Sequence, residues 1–130
     1  MSPVKLSRFE SGTRTILNLQ AAFNRHDLPA ILVLLSPECI LETASPPPDG
    51  TVLKGADDIS AYMQGLFETY PNLKLEIEEI FGMGFRVVMR WRMAEGKNPA
   101  HGVDIFKFKG EKICEWLRYQ KERNHHLNHH

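Results

Sequence analysis

Three residues in the last third of the chain have the types and the spacing that acid–base chemistry requires. His101 and Asp104 lie three residues apart in the segment HGVDIF, and Arg118 follows in the segment ICEWLRYQK. A histidine or a carboxylate can remove a proton from carbon, and an arginine can stabilise the oxyanion that forms. We therefore predict His101 as general base or hydrogen-bond donor, Asp104 as base or orienting partner, and Arg118 as anion stabiliser. This chemistry requires no metal and no cofactor.

Strand geometry limits how these residues can meet. Three consecutive strands are predicted at Phe85–Met93, His101–Lys109 and Ile113–Lys121. Because successive side chains of a strand point to opposite faces, His101 and Asp104 can share a pocket only if a bulge interrupts their strand. On a regular strand, we expect His101 to face the pocket. Asp104 would then face a partner subunit and pair with an arginine such as Arg90.

Aromatic and polar side chains nearby are candidates for ligand binding. Trp116 and Arg118 have the same parity on the last strand, so we expect both to face the pocket. A guanidinium there binds a carboxylate or an enolate oxygen of a ligand, or it forms an internal salt bridge, for example with Glu42. The alternative for Trp91 is packing in the core, and for Tyr62 a position at the surface. The predicted ligand-binding residues are Trp116, Trp91, Tyr62, Thr43 and Met89.

Helices and shorter strands precede these three strands and must position them. The predicted elements are a helix over Ser7–Arg25, a helix over Leu28–Leu35, strands over Cys39–Thr43 and Thr51–Lys54, a helix from Gly55 to about Tyr70, and a strand from Leu73 with a bulge near Glu79–Phe81. Asp27 is the predicted N-cap of the second helix, and the pair Ser36-Pro37 ends that helix. The order α-α-β-(β)-α-β-β-β-β, with antiparallel strands covered by helices on one face, predicts an α+β fold.

Length and charge exclude several classes of protein. The chain has 130 residues with 16 basic and 16 acidic side chains, so we expect one domain, 1–123, without a field that attracts nucleic acid or an acidic membrane surface. Since the sequence shows neither a membrane-spanning run nor a signal peptide, we expect a cytoplasmic protein. Cys39 and Cys114 form one internal disulfide or remain two buried thiols.

The last seven residues form a separate segment. Residues 124–130 read NHHLNHH, and paired histidines four apart could hold a metal on a helix. The alternative is a flexible tail, native or introduced for expression, that binds nickel or zinc only adventitiously. We predict the flexible tail and no metal site.

Several motifs resemble one superfamily over about residues 10–121. They are the Asn24-x-His26-Asp27 helix break, Gly55 before the third helix, and the Gly-Val-Asp-x-Phe strand followed by a glycine turn. This pattern is similar to the nuclear-transport-factor-2-like superfamily, in its SnoaL-like polyketide cyclase branch. The resemblance implies a cone-like, cystatin-like fold, in which a curved mixed sheet wraps around helices and leaves a pocket. It also implies a homodimer formed through the outer face of the sheet.

Ketosteroid isomerase has the same fold, and a comparison with it implies which residues stand at its catalytic positions. The resemblance implies that Thr43 occupies the position of that enzyme's general base. It also implies that Leu19 replaces its oxyanion-hole tyrosine and that His101 replaces its oxyanion-hole aspartic acid. Because threonine cannot shuttle a proton from carbon near neutral pH and leucine donates no hydrogen bond, we do not expect ketosteroid isomerisation. SnoaL-type cyclases resemble this chain in relying on an acidic residue near a histidine, which here are Asp104 and His101.

The predicted function is cofactor-independent acid–base chemistry of the cyclase, isomerase, lyase or hydrolase kind. The substrate would be a small apolar molecule that carries oxygen functions. Two alternatives stay open, because this fold carries many functions. One is a non-catalytic module that binds a hydrophobic ligand, and the other is a dimerisation module whose polar residues satisfy one another.

Overall fold

The computed structural model describes residues 8–45, 48–83, 85–95 and 99–121. The helices are α1 (Arg8–Asn24), α2 (Leu28–Leu32) and α3 (Gly55–Thr69). The strands are β1 (Leu35–Thr43), β2 (Thr51–Lys54), β3 (Lys74–Met83), β4 (Arg86–Ala94), β5 (Ala100–Lys109) and β6 (Lys112–Lys121). The α+β class and the predicted order of elements are confirmed. The histidine-rich segment 124–130 lies outside the described residues.

The six strands form one curved sheet whose order is β2-β1-β6-β5-β4-β3. Neighbouring strands are antiparallel, except that β1 and β6 run parallel to each other. This parallel pair sets Thr43 beside Arg118, and the antiparallel β5–β6 pair sets Asp104 on the other side of Arg118. Residues that are far apart in sequence thus come together in one row across the sheet.

Helices α1 and α3 cover one face of this sheet. Helix α1 packs against β3 and β4, and α3 packs against β1 and β2. The core between the helices and the sheet contains Ile16, Leu19, Phe23, Ile59, Met63, Trp91, Phe106 and Trp116. Among the helices that the structure describes, none is long and apolar enough to cross a membrane.

The second helix is shorter than predicted, and the first strand is longer. Asp27 caps α2 as expected, since its Oδ1 accepts a hydrogen bond from the Ala30 amide at 3.2 Å. The helix ends at Leu32 instead of Leu35, and Ser36-Pro37 lies inside β1. The reason is early pairing with β6, where the Ile113 amide donates to the Leu34 carbonyl at 2.9 Å. Sheet pairing that begins here outweighs the local helical pattern.

Strand β5 is regular against β4, and its facing is the reverse of the predicted one. Gly102, Asp104 and Phe106 are buried, whereas His101 and Lys107 are exposed. The predictions that His101 faces the pocket and that Asp104 faces a partner subunit are therefore wrong. Apolar side chains occur on both faces of β5. Alternation therefore shows which residues share a face, but it does not show which face packs against the helices. The bulge on β3 is confirmed in kind but lies at Glu78, just before the predicted site.

Cys39 and Cys114 are free thiols on neighbouring strands. Burial, with smaller contributions from Cys114, Glu38 and Glu115, raises the pKa of the Cys39 thiol from 9.0 to about 12. The folded protein therefore keeps this proton at a pH where the unfolded chain loses it. The resulting stabilisation is complete below about pH 9 and is lost progressively as the pH rises toward about 12.

This shift predicts that Cys39→Ala changes the alkaline stability of the protein. Denaturant unfolding from neutral pH to about pH 10.5 should show a steeper loss of stability in the wild type than in Cys39→Ala, because only the wild type has the protonated buried thiol to lose. Cys114→Ala, whose thiol is only half-buried, should retain most of the wild-type slope. A constant stability difference between wild type and Cys39→Ala at every pH would contradict the assignment.

Candidate functional site

Asp104 is the centre of a buried polar cluster. Its carboxylate has no exposed surface and accepts a hydrogen bond from each of two indoles. Trp91 Nε1, on β4, donates to Oδ1 at 2.7 Å, and Trp116 Nε1, on β6, donates to Oδ2 at 2.8 Å. Three adjacent strands therefore supply the carboxylate and its two neutral donors.

Arg118 completes this cluster with a side-on ion pair. Its Nε lies 3.1 Å from Asp104 Oδ1, and its Nη2 lies 2.9 Å from Oδ2. A carboxylate has about four lone-pair positions, and the two indoles and the two guanidinium nitrogens occupy them. Asp104 thus has no free lone pair that could accept a proton from a ligand.

The Arg118 guanidinium also lies over both tryptophan rings. The carbon at the centre of the Arg118 guanidinium lies 5.2 Å from the centroid of the Trp91 ring and 5.3 Å from that of Trp116. Cation–π attraction at this range adds to the ion pair. The guanidinium is therefore held by one carboxylate and packed against two rings.

Arg118 stays a cation in this environment. Burial alone would lower the pKa of Arg118, but the charge and the hydrogen bonds of Asp104 outweigh burial and raise the pKa above its ordinary value. Tyr62, on α3, adds to the rise in this pKa as a hydrogen-bond partner of the guanidinium. A fixed positive charge is available at every physiological pH.

A cavity of about 150 Å³ lies beside Arg118, between α3 and the strands β1 and β6. It is lined by Thr43, Ala44, Ser45, Tyr62, Arg118 and Gln120. The Thr43 hydroxyl donates a hydrogen bond to the Ser45 carbonyl at 2.9 Å, which leaves its oxygen lone pairs as acceptors. The cavity thus offers one cation and several neutral polar groups.

His101 does not join this site. It lies on the outer face of the sheet, where its side chain is 47% exposed and its Nδ1 is 3.9 Å from Glu78 Oε1. Arg90, the expected partner of Asp104, instead pairs with Glu79 at 3.7 Å on the same outer face. The alternative partner of Arg118, Glu42, is exposed. A regular β5 separates His101 from Asp104, as strand parity requires.

The predicted ligand-binding residues divide into two groups. Thr43 and Tyr62 line the cavity, and their part in binding stays a prediction. Trp91, Trp116 and Met89 are fully buried and are not among the lining residues, so they are parts of the core. The two tryptophans hold Asp104 and Arg118 instead of contacting a ligand in this cavity.

Three lining residues were not predicted. Gln120 shares its strand parity with Trp116 and Arg118, so the sequence contained a signal for it. Ala44 and Ser45 follow β1 in an irregular segment, where no periodic pattern indicates the direction of a side chain. The parallel pairing of β1 with β6, which brings this segment to Arg118, is also not visible in the sequence.

Gly102 allows the cluster to form. It pairs with Trp91 across β4 and β5, and a Cβ atom at this position would overlap the Trp91 ring and the Tyr119 carbonyl. The absence of a side chain therefore lets the indole lie flat against β5 and reach Asp104. This close approach explains why glycine stands two residues before the aspartate in the sequence GVDIF.

Comparisons with known proteins agree with this architecture. Residues 16–116 match the family model described as a SnoaL-like domain. An NTF2-like protein of unknown function from Mesorhizobium loti is 26% identical, with a TM-score of 0.77 over 94% of this chain and 100% of that chain. No functionally curated protein matches the chain by sequence.

Two more distant structures share the fold. A protein proposed to be a SnoaL-like polyketide cyclase, from Jannaschia, is 16% identical, with a TM-score of 0.75 over 92% of each chain. A protein proposed to be a ketosteroid isomerase, from Kribbella flavida, is 14% identical, with a TM-score of 0.77 over 92% of this chain and 84% of that chain. At these identities the likeness concerns the fold alone.

The contact between Gly102 and Trp91 predicts a large effect of a single methyl group. Gly102→Ala should displace the indole, weaken its hydrogen bond to Asp104 and lower the free energy of unfolding by about 2–4 kcal/mol. Denaturation followed by tryptophan fluorescence measures this change. Gly65→Ala is the matched control, because open space surrounds Gly65 on α3 and alanine favours the helix there. Equal stability of the two variants would show that Gly102 has no role in the cluster.

Proposed function

The chain belongs to the SnoaL-like domain family, and on this premise we propose that its cavity binds a small molecule with oxygen functions and promotes an acid–base reaction of the cyclase or isomerase kind. The family and the shared fold support a small-molecule site. Since one fold carries many chemistries, the residues of the site must support the reaction.

The observation that carries this proposal is the fixed guanidinium of Arg118 at the cavity. Moving a proton from a carbon next to a carbonyl group places negative charge on the carbonyl oxygen. A preorganised donor that is already in position stabilises this charge without reorganisation in the transition state. Arg118 meets this requirement, because Asp104 and two indole rings hold it in place.

The proposed roles differ from those expected from the sequence. Asp104 is a positioning residue, since its lone pairs are all engaged. His101 has no proposed role, because it lies on the opposite face of the sheet. Tyr62 is the proposed proton-transfer residue, since its hydroxyl lies beside Arg118 in the same cavity. Its phenolate form would take the proton from carbon, and the resulting phenol would return a proton to carbon.

A non-catalytic binding module is the second candidate, and one observation favours it. Among the described residues that line the cavity, none is a histidine, an aspartate or a glutamate. Such a cavity can hold a ligand by hydrogen bonds and by the charge of Arg118 without accepting a proton. The two candidates differ in whether proton transfer accompanies binding.

Proton exchange at carbon tests the catalytic proposal without knowledge of the substrate. The protein should accelerate hydrogen–deuterium exchange of acetylacetone in D2O, which proton NMR follows directly. Arg118→Lys should slow the catalysed exchange by about 100-fold, because a lost oxyanion donor has effects of this size. Tyr62→Phe should slow it by at least about tenfold.

The control for this experiment is His101→Ala, which should retain the wild-type rate. Thermal denaturation of each variant shows whether it is folded. Loss of activity in His101→Ala but not in Arg118→Lys would overturn the assigned roles. If wild type does not accelerate exchange yet retains a ligand in native mass spectrometry, the binding module is the better description.

A homodimer is the second part of the proposal. Phe81, Val88, Ile105 and Leu117 are paired in register on four adjacent strands and form an apolar row across the outer face of the sheet. Val88 is already buried in the single chain, so Phe81 and the half-buried Ile105 and Leu117 supply the accessible part of this row. Tyr119 extends this surface and is 51% exposed. Apolar surface of this kind supports association with a second copy through the sheet.

Light scattering after size exclusion tests the dimer. The wild type should have twice the chain mass of 14.9 kDa, and Ile105→Lys should be a folded monomer, since the new charge would be buried in the interface. Val33→Lys is the control, because Val33 is exposed in the segment between α2 and β1. A monomeric wild type would refute this part of the proposal.

We also place the protein in the cytoplasm. The free thiols of Cys39 and Cys114, on adjacent strands, support a reducing compartment.

A further inference from the structure

One edge of the Arg118 guanidinium is not bound to Asp104. The guanidinium lies over two indole rings, and the edge formed by Nε and Nη2 is bound to Asp104. The remaining edge, called the free edge because Asp104 does not bind it, consists of Nη1 and the outer hydrogen of Nη2. The Tyr62 hydroxyl is a further hydrogen-bond partner of the guanidinium, and a ligand carboxylate would share or replace this contact. Because Arg118 lines the cavity, this remaining edge is the part that faces it.

The free edge has the shape that a carboxylate matches best. Two parallel N–H groups at the end of a guanidinium donate to the two oxygens of one carboxylate in a fork-to-fork arrangement. The planar group cannot rotate away from this direction, since the two tryptophans and Asp104 fix it. A ligand carboxylate would thus meet a donor pair that is already oriented.

The charges around the cavity also favour an anion. Among its described lining residues none is acidic, and Arg118 is the one cation. Asp104 lies on the far edge of the guanidinium, so a ligand at the free edge is closer to the positive group than to this carboxylate. The two indole N–H groups also donate to Asp104, so this carboxylate does not depend on Arg118 alone for its hydrogen bonds.

We propose that the ligand of this cavity is a small carboxylic acid, which binds as its anion end-on to the free edge of Arg118. Neutral polar groups of Thr43, Tyr62 and Gln120 would border the carboxylate or its neighbouring oxygen functions. This inference rests on the proposed function, because it names the ligand class of the same cavity.

The size of the cavity limits the rest of the ligand. At about 150 Å³, it is comparable with an engineered apolar cavity that accepts one benzene molecule. The body of the ligand should therefore contain about five to eight non-hydrogen atoms. Branched short-chain acids and single-ring acids meet this limit.

Matched pairs of probes test recognition of the carboxylate. Isobutyrate and isobutyramide, and benzoate and benzamide, have nearly the same shape but differ in charge. Titration calorimetry or NMR titration at neutral pH should show each carboxylate binding at least tenfold more tightly than its amide, a difference of about 1.4 kcal/mol. Equal affinities within each pair, or no binding of either carboxylate, would overturn the proposal.

A negative charge at the exposed rim of the cavity tests whether the carboxylate binds there, and it leaves the core unchanged. Gln120 lines the cavity yet is exposed, so Gln120→Glu should fold normally. It should weaken isobutyrate and benzoate at least fivefold by repulsion and leave the amides nearly unchanged. Gln64→Glu makes the same chemical change at an exposed position of α3 that does not line the cavity, and should have no effect. Equal effects of the two variants would mean that the carboxylate binds elsewhere.

The result separates this inference from the proposed function. Catalysed proton exchange of acetylacetone without a preference for carboxylates would overturn the inference and leave the enzyme proposal intact. Preferential carboxylate binding that Gln120→Glu weakens, without any catalysed exchange, would support the inference and favour a binding module.

Discussion

The buried ion pair between Asp104 and Arg118 is the interaction on which the rest of the site depends. Removing two charges from water costs several kcal/mol per ion, and attraction between them offsets this only when the other polar positions are also satisfied. Trp91 and Trp116 supply these hydrogen bonds, because each indole donates to the carboxylate. The guanidinium in turn lies over both rings. The pair therefore requires large aromatic residues on both flanking strands, and through Trp91 it requires a glycine at position 102.

Much of the fold was predictable because it follows from local periodicity. Alternation located β3 to β6, and the positions of Asp27 and Gly55 located two helix starts. The face of β5 was not predictable, since Val103 and Ile105 on one side are as apolar as Phe106 on the other. The buried face of β5 is set by the packing of Gly102 against Trp91 on β4. The alternation of apolar and polar residues within β5 alone does not reveal this contact between strands.

The candidate site was predicted in part, and the division has a physical reason. Arg118 and its aromatic neighbour Trp116 lie on one strand, so parity alone placed them on the same face. Thr43 and Arg118 meet through the parallel pairing of β1 and β6, which joins two segments that are far apart in the chain and has no local signature. Asp104 was identified as a residue of interest, but its role as a positioning residue emerges only when its four donors are counted.

The separation between the cluster and the lining of the cavity has a consequence for how such a protein can diversify. Asp104, Arg118, Trp91 and Trp116 satisfy one another, so a change in any one leaves a buried group without its partner and selection removes it. Ser45 and Gln120, by contrast, are exposed residues that support nothing in the core. Descendants of this chain could therefore acquire new ligand preferences through drift at the mouth, while the charged anchor is inherited unchanged.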